Sequence, residues 1–556
     1  MSIIMAESID ALFIPFYSNI DRWHSDSDQD FQYPSLARTR GLLAALSEEQ
    51  WMKDEVDVVI DGKLLDFSRL LSWVRYGTTA EYERYDPFAM TLLSGTYYLN
   101  HLHRNGFMVR VANAVHRERL KDLSRAYEPR FVLLSTTLLF DGAERDLVPL
   151  AVEQLRGTWP DAVIVLGGLM LVSYQKNLSP EAFANLLRYY GADVYVVTPR
   201  GEIAILEILR RGSLKNIIAK PNIPNTYLIS NGTLHQPSPE PENDLKIDDS
   251  YIRWSQLPQT DHLYHTVHMR TARSCAFKCA FCEYPVNQGP LTLMPVEIVE
   301  RELNEIKALG TIRSLVFTDD TFNVPLNRFK HLLNILAKYP FEWYSFFRPQ
   351  YADRETAALM KAAHCKAVFA GLESVDDQVL KNMNKVAKAD HYRRGIEQLK
   401  KHDIQVHANF IVGFPGETEE SAFKIAPFLD EMEIPFCTVC TWVFIPSTPV
   451  GARALEFQIE GMGMEWKHKT MTSQQAQRLA RQVVEEQRYS VHNAVRGEAW
   501  SEFLLYANGF TVDEARFAVR FFNRYLGRDT SQEEIRARGE YTALKAILNR
   551  HTLPRP

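Results

Sequence analysis

The sequence predicts an α/β protein: a doubly wound, Rossmann-like parallel sheet domain, then a second β/α array of about six units, then a helical C-terminal region. Three observations predict this. Short apolar runs alternate with helical patterns to about residue 220, the same alternation resumes after residue 261, and a Pro- and acid-rich stretch, Pro237-Ser-Pro-Glu-Pro-Glu-Asn-Asp, separates the two.

In the first array, strands are expected at Ile9–Phe16, Phe107–Ala112, Phe131–Ser135, Ala162–Leu166 and Asp193–Val197. Helices are expected between them at Leu92–Asn105, Leu147–Thr158 and Pro180–Tyr190. Domain 1–220 carries an insertion at about 18–85, long enough to be a lid or a small subdomain. Residues 221–260 read as a hairpin around Asn231-Gly232 and a linker. The second array occupies 261–455, with strands at Ser314–Phe317, Glu342–Phe346, Ala367–Ala370, Gln405–Val412 and Thr438–Phe444, and 456–556 read as helical.

The composition is that of an ordinary globular protein, 46% hydrophobic and 24% charged, and 556 residues exceed a single core. A net charge of −6 with interspersed signs gives no footprint for nucleic acid. The sequence shows no apolar run of transmembrane length and no signal-peptide pattern, so neither membrane nor secretion is expected. Six cysteines, half of them clustered, argue against a disulfide framework and for a reducing cytoplasm.

Those clustered cysteines are Cys275, Cys279 and Cys282, in Ser-Cys-Ala-Phe-Lys-Cys-Ala-Phe-Cys. Thiolates this close in sequence can converge from a tight loop, and soft sulfur ligands select iron–sulfur clusters, zinc or copper(I). Three is informative, because a closed structural zinc site takes four ligands. A cluster held by three cysteines leaves one iron able to bind something else. Cys365, Cys437 and Cys440 read as buried thiols.

The pattern C-x3-C-x2-C, with Phe281 before the last cysteine, resembles the signature of the radical S-adenosylmethionine enzymes. The resemblance implies a partial (β/α)6 barrel and a 4Fe-4S cluster whose open iron chelates S-adenosylmethionine. It also implies one-electron cleavage to a 5′-deoxyadenosyl radical, the electron coming from a donor such as flavodoxin or ferredoxin. Further motifs at strand ends carry the same resemblance. Asp319 and Asp320 stand where the family binds the amino group of the methionine moiety; they can equally cap the helix that follows. Arg348 could pair with the methionine carboxylate or form a surface ion pair. Glu373 and Ser374, in Gly-Leu-Glu-Ser, are expected at the ribose, and Gly413 and Phe414, in Gly-Phe-Pro-Gly-Glu-Thr, near the adenine.

Upstream, Ser135-Thr136-Thr137-Leu138 and Gly167-Gly168 lie at strand ends rich in hydroxyls and small residues, where doubly wound folds bind ligands. With Glu202 of Arg200-Gly201-Glu202, they resemble the cobalamin-binding domain of one class of these enzymes, although only part of that class's Gly-Glu-Gly-Glu stretch is present. The segment around Trp466 and His468 resembles one that recurs in cobalamin-type enzymes methylating unreactive carbon or phosphorus in natural products, and it is expected to cap the barrel mouth. Trp466, His468 and Tyr344 are therefore the candidate catalytic residues. The expected function is a cobalamin-dependent methyltransferase acting on a small-molecule or peptide natural product. The alternative is an epimerase, cyclase or rearrangement enzyme of the same architecture that does not methylate.

Overall fold

The computed structural model describes residues 6–17, 58–87, 92–115, 117–137, 147–230, 232–237, 246–257, 265–493, 499–526 and 528–551. Leu138, residues 18–57 of the insertion and residues 238–245 of the linker lie outside the described residues.

The first sheet has seven strands in the order Thr233–His235, Thr226–Ser230, Val194–Val196, Val163–Gly167, Tyr127–Ser135, Glu7–Ile14 and Val109–Val111. The last five run parallel, as the alternating pattern predicts. The hairpin assigned to the linker instead extends this sheet, Thr226–Ser230 pairing antiparallel with Val194–Val196. Its carbonyls and amides complete the ladder at an otherwise open edge. The helices are delimited by their own residues: Ser179 caps the helix Pro180–Tyr190, Pro180 opens it, and Gly191, left-handed at φ 71°, closes it.

The second sheet runs Thr266–Met269, Ser314–Phe317, Glu342–Phe347, Cys365–Glu373, Gln405–Val412, Phe436–Thr441 and Val491–His492, with every neighbouring pair parallel. Its first and last strands do not pair, so the barrel is partial. The seventh strand is too short to signal itself in a sequence that otherwise reads as helix there. Residues 314–412 alternate apolar contacts to the surrounding helices (Leu315, Phe317, Val368, Ala370, Val406, Ala408) with inward residues (Val316, Tyr344, Ala367, His407).

The inside of that partial barrel is closed by a helix from the far end of the chain, Ala499–Ala507. Phe503 stacks on Tyr344 at 4.8 Å, Trp500 meets His268 edge-on at 4.7 Å, and Glu502 accepts a hydrogen bond from His407 at 2.8 Å. Asn493 donates to the same Glu502 oxygen at 2.7 Å, and His407 Nε2 lies 2.8 Å from the Thr438 hydroxyl. The buried carboxylate is thus paired from two sides, as burial of such a group requires.

The described part of the insertion does not fold on the first sheet. Val58–Ile60 pairs in parallel with Asp529–Thr530, and helix Phe67–Tyr76 packs through Phe67, Leu70 and Leu71 against Val519, Phe522 and Leu544. Residues 58–85 and the last helices are therefore one subdomain with its own core, although the chain between them contains the second sheet and every strand of the first but Glu7–Ile14. Periodicity along the sequence has no means of indicating such a pairing.

Candidate active site

The carboxyl ends of the second sheet's strands converge on the cysteine loop. Each thiol sulfur there has one polar neighbour. The Thr321 hydroxyl lies 3.4 Å from Cys275 Sγ, Arg348 Nη2 donates to Cys279 Sγ at 3.0 Å, and the Tyr284 backbone N–H serves Cys282. As a free thiol, Cys282 is pushed up to about 12, first by burial and then by Cys279, Asp320 and Cys275. Binding to a metal removes that proton and resolves the conflict. Among the described residues, no three His, Cys, Asp or Glu side chains are grouped to hold a single metal ion. A cluster asks for a wider arrangement, each thiolate meeting its own iron.

Around this loop the predicted ligand residues divide. Asp319 turns back to brace the loop, both its oxygens accepting from the Thr271 N–H at 3.0 Å and Oδ1 also from the Thr271 hydroxyl at 3.2 Å. Burial holds its carboxyl up at about 6. These three hydrogen bonds all go to Thr271, ahead of the cysteine loop. Asp320 is exposed to the mouth yet walled by protein, and desolvation and the neighbouring Asp319 raise its carboxyl to about 7. The Tyr284 hydroxyl donates to it, and its remaining acceptor sites lie beside the cysteines.

Arg348 is not in a surface ion pair, one of its two expected roles. It is buried, its Nη1 donates to the Lys385 carbonyl at 2.7 Å, and its guanidinium lies 3.4 Å over the Phe277 ring, so it faces the cysteine loop.

Glu373 follows a register shift between Gly371 and Glu373 in its strand and stands at φ 67°. The bulge re-aims the side chain. Its carboxylate receives Lys385 Nζ at 3.0 Å and Asn409 Nδ2 at 3.1 Å, both partners unassigned by the sequence reading. Ser374 is buried and its hydroxyl accepts from the Asp376 N–H at 3.2 Å. Phe281 and Phe414 meet edge to face at 6.4 Å, and Phe414 continues to Trp442 at 5.3 Å.

Gly413 is left-handed at φ 97°, and an added Cβ would lie 2.6 Å from the Ala476 side chain and 2.7 Å from Trp466. Trp466 and His468 approach it for a structural reason. His468 Nε2 donates to the Gly413 carbonyl at 2.9 Å, its ring stacks on Trp466 at 5.0 Å, and Trp466 donates to the Trp442 carbonyl at 2.8 Å. His468 Nδ1 accepts from Thr470, so both ring nitrogens are engaged with the chain itself. Tyr344, the third candidate, is fully buried under Phe503 near the start of its strand. It is removed from the mouth by a helix whose position no local pattern announces.

The upstream candidates gather at the ends of two adjacent strands. Thr136 N–H and hydroxyl both donate to the Gly167 carbonyl, at 2.7 and 3.0 Å, and the Ser135 hydroxyl accepts from the Thr137 N–H at 3.2 Å. Gly168 is left-handed at φ 122°, and a Cβ there would lie 2.7 Å from the Thr136 and Thr137 amides. Glu202 does not join them. It accepts from the Tyr97 hydroxyl at 2.9 Å and lies 3.8 Å from Arg273 of the cysteine loop, so it ties the two sheet domains together.

A second tie follows from Gly168. The helix it begins, Leu169–Asn177, ends with Asn177 donating to Glu283 at 3.2 Å and to Ser447 at 3.0 Å, and Ser447 N–H returns to Asn177 at 2.8 Å. Lys176 reaches Asn287 at 2.6 Å, and Arg200 the Gln288 carbonyl at 2.8 Å. These residues were missed by the sequence reading because each pairs with a partner more than 80 positions away.

Residues 269–429 match the family model of the Radical SAM superfamily. The chain carries a radical SAM domain. Such a domain implies a 4Fe-4S cluster and S-adenosylmethionine, and three thiols beside a carboxylate suit that pair chemically. An uncharacterized methyltransferase of Synechocystis is 28% identical over 47% of the chain and 47% of its own length. The ribosomal protein uS12 methylthiotransferase RimO of Heliobacterium modesticaldum is 27% identical over 38% of the chain and 48% of its own. The chain thus spans about half the length of the curated relatives it matches. Among solved structures, the radical S-adenosylmethionine methyltransferase TsrM of Kitasatospora setae, with tryptophan substrate and a SAM analog bound, superposes with a TM-score of 0.52 at 18% identity. That likeness covers 65% of this chain and 72% of TsrM, and it shows a shared fold. Among the described residues, no helix is long and apolar enough to cross a membrane.

Proposed function

We propose that the protein is a cobalamin-dependent radical S-adenosylmethionine methyltransferase acting on an unactivated centre of a small-molecule or peptide natural product, with a flavodoxin- or ferredoxin-class donor. One observation carries this reading. The helix that starts at Gly168, on the candidate cobalamin face, ends at Asn177 on Glu283 of the cysteine-loop segment, so a single helix links the two candidate cofactor sites. Methyltransferase names among the relatives, and the likeness to TsrM with cobalamin and a 4Fe-4S cluster bound, support it.

In this reading the cysteines hold the cluster, Asp320 accepts from the ligand's ammonium group, and Glu373, held by Lys385 and Asn409, faces the ribose. The Gly413–Phe414 loop, pinned by His468, borders the adenine. Ser135, Thr136, Thr137, Gly167 and Gly168 present hydroxyls, amides and bare backbone to the corrinoid. The cofactors supply radical generation and the methyl group; the chain orients them and keeps water out.

Anaerobic reconstitution with hydroxocobalamin tests it. Stoichiometric corrinoid absorbance, and a one-methyl mass gain in a product of neighbouring genes, are the expected results. Persistent failure to retain cobalamin, or an isomerised product of unchanged mass, would overturn it.

A further inference from the structure

Arg348 has no carboxylate partner among the described residues, although it is buried and always charged. Its neighbour Lys385 is occupied by Glu373 at 3.0 Å and lies 5.6 Å over the Phe281 ring, so of these two cations it is Arg348 that donates to a cysteine sulfur. Four contacts fix it there. Nη2 lies 3.0 Å from Cys279 Sγ, Nη1 lies 2.7 Å from the Lys385 carbonyl, and the guanidinium stacks 3.4 Å over Phe277, which lies between Cys275 and Cys279. Its backbone exchanges hydrogen bonds with the Asn323 side chain at 3.1 and 2.9 Å. The polar neighbours of the other two sulfurs, the Thr321 hydroxyl and the Tyr284 amide, are neutral.

We propose that Arg348 is a positioning residue for the cluster: it donates a charge-assisted hydrogen bond to the Cys279 thiolate and raises the cluster's reduction potential. The inference rests on reading Cys275, Cys279 and Cys282 as cluster ligands. Accepting one electron from an external donor makes the cluster more negative by one charge. A fixed cation against one thiolate, screened from water, stabilises that reduced form, and hydrogen bonds to the sulfurs and net charge are among the terms that set such potentials. The fork geometry makes the contact specific to arginine.

The test is a potentiometric titration of the anaerobically reconstituted full chain with dithionite, the reduced cluster followed by electron paramagnetic resonance. In Arg348→Gln, the ratio of reduced to oxidised cluster at a fixed poise should fall on the order of tenfold, which is 59 mV for a one-electron couple. Arg348→Lys should fall less. Iron and sulfide per chain and the far-ultraviolet spectrum should match the unaltered protein. A fully loaded Arg348→Gln with an unchanged midpoint overturns the proposal. Should that variant fail to load, Phe277→Leu decides: removing the ring under the guanidinium should lower the ratio in the same direction, and an unchanged ratio overturns the proposal. Absence of any reduced-cluster signal in the unaltered protein overturns the cluster assignment itself.

Discussion

His468 donates from Nε2 to the carbonyl of Gly413 across 2.9 Å, joining a short strand beyond the barrel to the loop that follows its fifth strand. Because Nδ1 accepts from Thr470, the ring is held as the Nε2–H tautomer, and burial lowers its pKa so that it stays neutral. His468→Ala leaves a buried carbonyl unpaired and one face of Trp466 uncovered, and should cost about 1–3 kcal/mol. Urea unfolding would read the loss. Iron content should be unaffected, since the His468 ring is hydrogen-bonded to Gly413 and Thr470 and not to the cysteines.

Gly413→Ala should be more damaging than its size suggests. The left-handed backbone at φ 97° and the 2.6 Å approach to Ala476 act together. Strain of this kind is on the order of 1–3 kcal/mol before the steric clash is added. A lower melting temperature with weakened binding of S-adenosylmethionine by calorimetry is expected.

Glu417 is fully buried, its carboxylate accepting from the Gly413 N–H, and burial raises its pKa from 4.5 to about 8. Between those values the folded chain holds a proton that the unfolded chain has released. Stability is therefore fully present below about 4.5 and is lost as pH rises through about 8. Glu417→Gln removes this titration, so its melting temperature should gain on that of the unaltered protein as pH is raised from 5 to 8. Parallel pH profiles for the two proteins would refute the assignment.

Lys385 and Glu373 form a buried ion pair, with side chains 6% and 8% exposed. Lys385→Met strands the carboxylate and should cost about 3–5 kcal/mol. Adding Glu373→Gln should recover most of that stability while binding of S-adenosylmethionine remains weak. A double-mutant cycle on denaturant midpoints and ligand affinity separates the two effects.

Two parallel arrays, the cysteine loop and the small-residue strand ends were legible in the sequence because each is a short-range signal. Alternating apolar runs declare strands and helices, and Cys275, Cys279 and Cys282 are near enough along the chain to meet whatever the fold does. Only the tertiary structure decided what those residues face. Arg348 and Cys279 are 69 positions apart, Glu373 and Asn409 are 36 apart, and each meeting depends on which strands are neighbours and in what register. The same holds at larger scale. Tyr344 is covered by Phe503, Glu202 is turned to Arg273, and Val58–Ile60 pairs with Asp529–Thr530, because burial of apolar faces is non-directional and takes its partner from anywhere in the chain. Spacing determined which groups carry the chemistry; strand order and packing determined which stay open to a ligand and which are spent holding the others in place.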